Sequence, residues 1–191
     1  MPDHDFALFE TAIGCCGIVW SPRGLIGVQL PEASERATRA RVLKRFPAAQ
    51  ETSPPPAMRA AMDGIMALLR GEPRDLTGVI IDGAGTPEFN SKVYSIARTI
   101  PPGMTMTYGE IAERLGDKLL ARAVGTALGQ NPCPIVMPCH RVLAADGKTG
   151  GFSASGGVMT KLRLLTIEGA QPGGPTLFDR LPLAARQRRP R

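Results

Sequence analysis

Hydrophobic and polar positions divide the chain into short apolar runs before residue 31 and longer helical repeats after it. Residues 6–13, 16–20 and 25–30 are brief and rich in β-formers. Ser21-Pro22-Arg23-Gly24 supplies turn chemistry between the last two, so a β-hairpin or meander is predicted. Residues 32–46 and 56–69 carry apolar side chains at helical spacing, separated by the breaker Thr52-Ser53-Pro54-Pro55-Pro56. Val79-Ile80-Ile81-Asp82 predicts a further strand. Residues 1–86 therefore read as a small α/β unit without a catalytic constellation, and Gly83-Ala84-Gly85-Thr86-Pro87 as its boundary.

Residues 88–99 predict a helix stopped by Pro101-Pro102-Gly103. Thr107-x-x-Glu110 then matches a capping box, with Tyr108 in the first turn and Gly116 at the stop. Asp117 can cap a second helix over 118–128, which Gly129 and Asn131-Pro132 end. Two short helices in succession suggest a helix-turn-helix, whose second helix often enters a DNA groove. Here that helix presents Ala121, Arg122, Ala123 and Gly125. Small side chains around one cation let a backbone lie close to a ligand, although close helix packing with an exposed arginine gives the same pattern. A final helix over 158–168 places Val158, Leu162 and Leu165 on one face, with Gly169 at its stop. Glu168 puts a carboxylate at the negative end of that helix, at a cost of about 0.3–1 kcal/mol unless a partner compensates.

Composition excludes several classes. With 43% hydrophobic and 21% charged residues among 191, the chain is globular rather than disordered. Apolar runs such as 65–69 fall far short of the roughly 20 residues that cross a membrane. The acidic start Met1-Pro2-Asp3-His4-Asp5 is not followed by a signal core, so a cytoplasmic protein with no membrane partner is expected. Residues 1–86 hold nine basic and ten acidic side chains, net −1, and residues 87–191 hold fourteen and seven, net +7. The segment 171–191, read as a mobile basic tail, supplies +4 of this with five arginines and one aspartate. A basic half beside a neutral one fits nucleic acid, and equally a solvated basic face.

Four cysteines occur, at 15, 16, 133 and 139, with no Cys-x-x-Cys pair and histidines only at 4 and 140. Neither a disulfide framework nor a metal site is expected, and no cofactor is implied. Packing is the expected role of at least one of Cys15 and Cys16, and of Cys133. The informative cysteine is Cys139, framed by Pro138, His140 and Arg141. Only a thiolate attacks, and an ordinary cysteine has a pKa of about 8.5, so the nucleophile needs a base or a nearby cation. His140 is the candidate base and Glu168 the carboxylate that orients it. Because adjacent side chains often point to different sides, the proton path from Cys139 to His140 can require a bridging water.

Pro138-Cys139-His140-Arg141-Val142, followed by a Gly-rich loop and Lys161-x-x-Leu-Leu-x-x-Glu-Gly169, resembles the O6-alkylguanine-DNA alkyltransferases. Thr107-Tyr108-Gly109, Ala121-Arg122-Ala123-Val124-Gly125 and Gly129-x-Asn-Pro132 match the same family in order and spacing. The resemblance implies a ribonuclease-H-like α/β domain over 1–86 and a mainly α winged helix-turn-helix domain over 87–170. It implies a monomer that acts on double-stranded DNA containing O6-alkylguanine and transfers the alkyl group irreversibly to Cys139. His140 would be the water-mediated base, Glu168 its orienting acid and Asn131 the hinge of the turn bearing the cysteine. Arg122 would fill the space left by the rotated nucleotide, within a DNA-binding set that includes Thr107, Ala121, Ala123 and Gly125. Tyr108 would assist rotation and donate to the flipped base, whose exocyclic amine the carbonyls of Cys139 and Val142 would recognise.

Two departures stand out. The loop 150–157 is two residues longer than the family's commonest form, which leaves open whether Ser153 or Ser155 offers its N–H to the substrate oxygen. Phe152 stands where many members have tyrosine, keeping an apolar pocket wall without the hydroxyl. A DNA-damage sensor would share the helix-turn-helix but lack Cys139; a transcriptional regulator or a cysteine hydrolase remains an alternative, separated by site preference and by turnover.

Overall fold

The computed structural model describes residues 4–170; the basic segment 171–191 lies outside the described residues. Strands β1 (Asp5–Thr11), β2 (Gly14–Ser21) and β3 (Gly24–Gln29) form the expected antiparallel meander. A two-residue strand, β4 (Gln50–Glu51), adds in parallel to β1, giving a mixed sheet of order β3-β2-β1-β4.

The central strand is buried on both faces because alternate residues point opposite ways. Cys16, Ile18 and Trp20 face helix α2 (Pro56–Leu69), where they meet Met58 and Ile65 in the main core. Val19 packs with Phe6 and Val42 under helix α1 (Glu35–Arg45), and Phe46 completes that layer. Gly17 lets α1 approach, since a Cβ there would stand 2.8 Å from a Val42 methyl. Ser34 caps α1 by accepting from Ala37 N, and Pro56 opens α2 at a position where no N–H is needed.

The run 79–82 does not become a strand. Ile81 makes one isolated bridge to Leu25, while Ile80 is 70% exposed. Leu25 N donates to Ile80 O and Asp82 N to Leu25 O, while Arg98 Nη2 donates to the carbonyls of Leu76, Thr77 and Val79 just before that bridge. With Val79 O taken by a side chain, the pairing does not extend beyond that one bridge and the segment stays a loop.

Helix α3 (Glu88–Arg98) buries Val93, Tyr94 and Ala97, and its Tyr94 hydroxyl donates to Ala127 O at 2.8 Å. Strand β5 (Met106–Thr107) leads into α4 (Tyr108–Arg114), whose capping box forms as expected from Thr107 and Glu110. Asp117 caps a 3₁₀ turn over Lys118–Leu120 that continues directly into α5 (Ala121–Gly129), so the second helix begins three residues later than expected. Strand β6 (Val142–Leu143) pairs in parallel with β5, bringing Val142 opposite Met106.

In α6 (Gly157–Ile167) the buried face differs from the apolar pattern. Val158 is exposed and Leu162 half-buried, whereas Lys161, Leu164 and Leu165 are buried. Periodicity assigns a lysine to solvent, but Lys161 Nζ donates to Val142 O at 2.6 Å and lies 5.7 Å from the Tyr108 ring centre. These two interactions turn the helix.

Candidate active site

Cys139 lies in a 3₁₀ turn, Cys139–Arg141, at the end of a loop that the Asn131 side chain brackets. Asn131 Nδ2 donates to Met137 O at 2.6 Å and Oδ1 accepts from Cys133 N at 2.9 Å. Within that bracket Ile135 has a φ of 74°, a left-handed conformation that costs a β-branched residue about 1–3 kcal/mol. From outside, Pro132 O accepts from Val28 N on β3 and from Arg45 Nη1 on α1. The loop carrying the thiol is thus held by the Asn131 side chain and by bonds to β3 and α1.

His140 is fully buried, its Nε2 3.0 Å from Glu168 Oε1. Arg141 grips the same carboxylate with Nε at 2.9 Å and Nη2 at 2.8 Å, and donates through Nη1 to Ile100 O. Glu168, the residue that closes α6, is therefore compensated. Burial alone would raise its pKa, but His140 and the two-pronged arginine outweigh that and bring it to about 2. An ionised carboxylate only accepts, so the proton of neutral His140 is placed on Nε2 and Nδ1 keeps its lone pair. Burial also lowers the pKa of His140, favouring the neutral ring. Nδ1 is buried with no protein hydrogen-bond partner among the described residues.

Burial raises the pKa of Cys139, opposed by the Asn131 side chain, the Lys161 charge and the backbone N–H groups of Cys139 and His140. Lys161 is 0% exposed and forms no ion pair among the described residues; burial pulls its pKa down to about 8, opposed by Cys139. The site at rest thus holds a neutral thiol, a neutral imidazole with a free acceptor and a buried ammonium.

Cys139 forms the floor of an opening of about 590 Å³ bordered by Tyr108, Ala121, Arg122, Gly125, Phe152 and Ser153. Gly150 lets the loop close on Tyr108, because a Cβ there would come within 2.8 Å of the Tyr108 hydroxyl. Ser155 does not border this opening, and its carbonyl accepts from the Thr160 hydroxyl. Ala123 is exposed and outside the opening, Thr107 is committed to capping α4, and Val142 is buried with its carbonyl on Lys161. Lys161 is the site residue that sequence reasoning left without a role. Its signal was a position two turns before Glu168 on the same helical face. A larger groove of about 1000 Å³, between α2 and residues 74–80, contains none of these residues.

Residues 88–170 match the family model described as 6-O-methylguanine DNA methyltransferase, DNA binding domain. A methylated-DNA–protein-cysteine methyltransferase of Methanothermobacter thermautotrophicus is 35% identical over 158 residues, 83% of this chain and 81% of that one. The crystal structure of the Mycobacterium tuberculosis O6-methylguanine methyltransferase superimposes with a TM-score of 0.69 at 31% identity, covering 87% of this chain and 93% of that one. A Mycobacterium tuberculosis structure in complex with DNA gives 0.69 at 32% identity, covering 86% and 92%. On the fold, the Cys139-His140-Glu168 cluster and these likenesses together, the chain belongs to the methylated-DNA–protein-cysteine methyltransferase family.

Proposed function

We propose that this protein repairs DNA by transferring an alkyl group from O6-alkylguanine to Cys139 in a single, irreversible turnover. The observation that carries this reading is the proton arrangement behind the thiol: Glu168, ionised and held by Arg141, fixes His140 with Nδ1 as acceptor beside a buried cysteine. His140 Nδ1 takes the thiol proton through a bridging water, which gives that buried nitrogen its partner. The thiolate attacks the alkyl carbon, a C–S bond forms, and the C–O6 bond breaks with its electron pair leaving on guanine. Tyr108, a neutral phenol whose pKa burial raises, donates a hydrogen bond to the base as charge develops there. Lys161 supplies the positive field that favours the thiolate. Val142 O has a second lone pair for the exocyclic amine beside the one that Lys161 occupies. Ser153 rather than Ser155 borders the opening and is read as the loop contact.

The alkyl carbon is out of reach inside a duplex, so the nucleotide must be extruded at a cost of a few kcal/mol. Arg122, exposed on the rim next to Ala121, fills the vacated stack. We read 87–170, with α4 and α5, as the winged helix-turn-helix domain and 1–86 as the ribonuclease-H-like domain. Four free cysteines fit a reducing, cytoplasmic setting.

Intact-mass measurement after incubation with an O6-methylguanine duplex tests the reading. One methyl per chain, on the peptide containing Cys139, is expected; release of methylated product over many equivalents would overturn it. Arg122→Ala is expected to slow transfer from duplex DNA by about 10–100-fold, from the cost of unstacking, and to leave reaction with free alkylguanine base unchanged. Equal losses on both substrates would remove Arg122 from the extrusion step.

A further inference from the structure

Cys139 has a second opening. A groove of about 590 Å³ leads from it past Asn131 and Ser155 to helix α1, where Arg41, Lys44 and Arg45 line its wall. It shares Gly129, Cys139, Phe152 and Ser153 with the opening beneath Arg122, so the two form one trough that meets at the thiol.

The cations on α1 are of two kinds. Arg39 is neutralised by Glu35 at 2.7 Å and Glu51 at 2.8 Å. Arg41, Lys44 and Arg45, spaced i, i+3 and i+4, share one face, and none forms an ion pair with a carboxylate among the described residues. Arg45 is also positioned: its Nη1 donates to Pro132 O at 3.2 Å and its guanidinium lies 5.0 Å from the Phe46 ring centre. Burial lowers its pKa, so an anion in the groove would relieve a cost already present. The one carboxylate on the wall, Glu32, accepts from Gln29 Nε2 at 3.3 Å, which leaves three cations facing one acid.

We propose that Arg41, Lys44 and Arg45 form a phosphate-binding strip through which residues outside the matched DNA-binding region grip the strand flanking the alkylated nucleotide. The inference rests on the repair reading. On that reading the base would reach Cys139 through the opening beneath Arg122, and the adjoining groove, which shares Gly129 and Phe152 with it, would lead the flanking backbone to α1. The strip adds affinity without reading sequence, since phosphates carry none.

The test compares Arg41→Gln/Lys44→Gln with the charge-matched control Arg36→Gln/Arg59→Gln, whose side chains are exposed and outside the groove. Affinity for an O6-methylguanine duplex is measured across salt concentrations. Loss of two phosphate contacts should lower the log–log salt slope by about 1–2 relative to the control and weaken binding about tenfold at low salt. Labelling of Cys139 by free alkylguanine base should not change, which also shows that the variant is folded. A slope and affinity equal to the control's would overturn the strip. Failure of the unsubstituted protein to form any Cys139 adduct would overturn the repair reading instead.

Discussion

Cys139→Ala is expected to abolish alkyl transfer and to leave affinity for duplex DNA within about twofold. The substitution removes the sulfur and little else, because the residue is 8% exposed, carries no charge at rest and sits on the floor of the opening rather than on its cationic rim. No other cysteine can take over. Cys133 and Cys16 are buried, with thiols pushed up to about 12, and Cys15 to about 11. Burial raises the Cys139 thiol as well, so what sets it apart is access: it borders both openings described above, and Cys15, Cys16 and Cys133 border neither. DNA affinity comes from phosphate contacts on other side chains and is measured separately, by titration of a labelled duplex. Alkyl adducts accumulating at Cys133 in the variant, or a comparable loss of binding to undamaged duplex, would contradict this division between chemistry and binding.

The parts of the fold that were legible in sequence are those whose cause is local. Thr107 and Glu110 satisfy each other's backbone within one turn, so the start of α4 could be read directly. The first three strands carry their own alternation and turn residues. The two-residue strands β4, β5 and β6 exist only through their partners, and Gln50-Glu51 has no apolar residue to announce it. Val79-Ile80-Ile81 has strand composition, but Arg98, about twenty positions away, takes the Val79 carbonyl, and the pairing with β3 stops at the single bridge between Leu25 and Ile81. The same distinction holds in the site. Cys139-His140 is visible as a pair, whereas the assignment of the free imidazole nitrogen required the buried carboxylate of Glu168 and the arginine that keeps it ionised. Lys161 could not be recognised as buried, because an amphipathic pattern treats lysine as the solvent side, and a carbonyl and an aromatic face overrode it here.

That buried ammonium leads to the second large effect, in which reactivity falls while stability changes little. Lys161→Met keeps the length of the side chain and removes its charge. The Lys161 charge lowers the pKa of the Cys139 thiol, and loss of about one pKa unit of that help is a tenfold loss of thiolate, so alkylation of Cys139 at pH 7 should slow at least about tenfold. The rate–pH profile should shift to higher pH, a change that packing loss alone does not produce. Stability should change little. Lys161 has a folded pKa of about 8 against 10.5 for the ordinary side chain. The folded state therefore binds this proton less readily, and the associated stability, complete above the unfolded value, is lost as pH falls through 8. At pH 7 the charged form costs on the order of 3 kcal/mol, offset by about 1.5–3 kcal/mol for its charge-assisted bond to the buried Val142 O. The two nearly cancel, so Lys161→Met should leave Tm at pH 7 close to that of the unsubstituted protein. Lys161→Arg, which restores the charge, should recover part of the thiol's low-pH reactivity. An unshifted profile in Lys161→Met, together with a lowered Tm, would mean that Lys161 serves only to hold β6 against α6, and its electrostatic role in forming the thiolate would have to be given up.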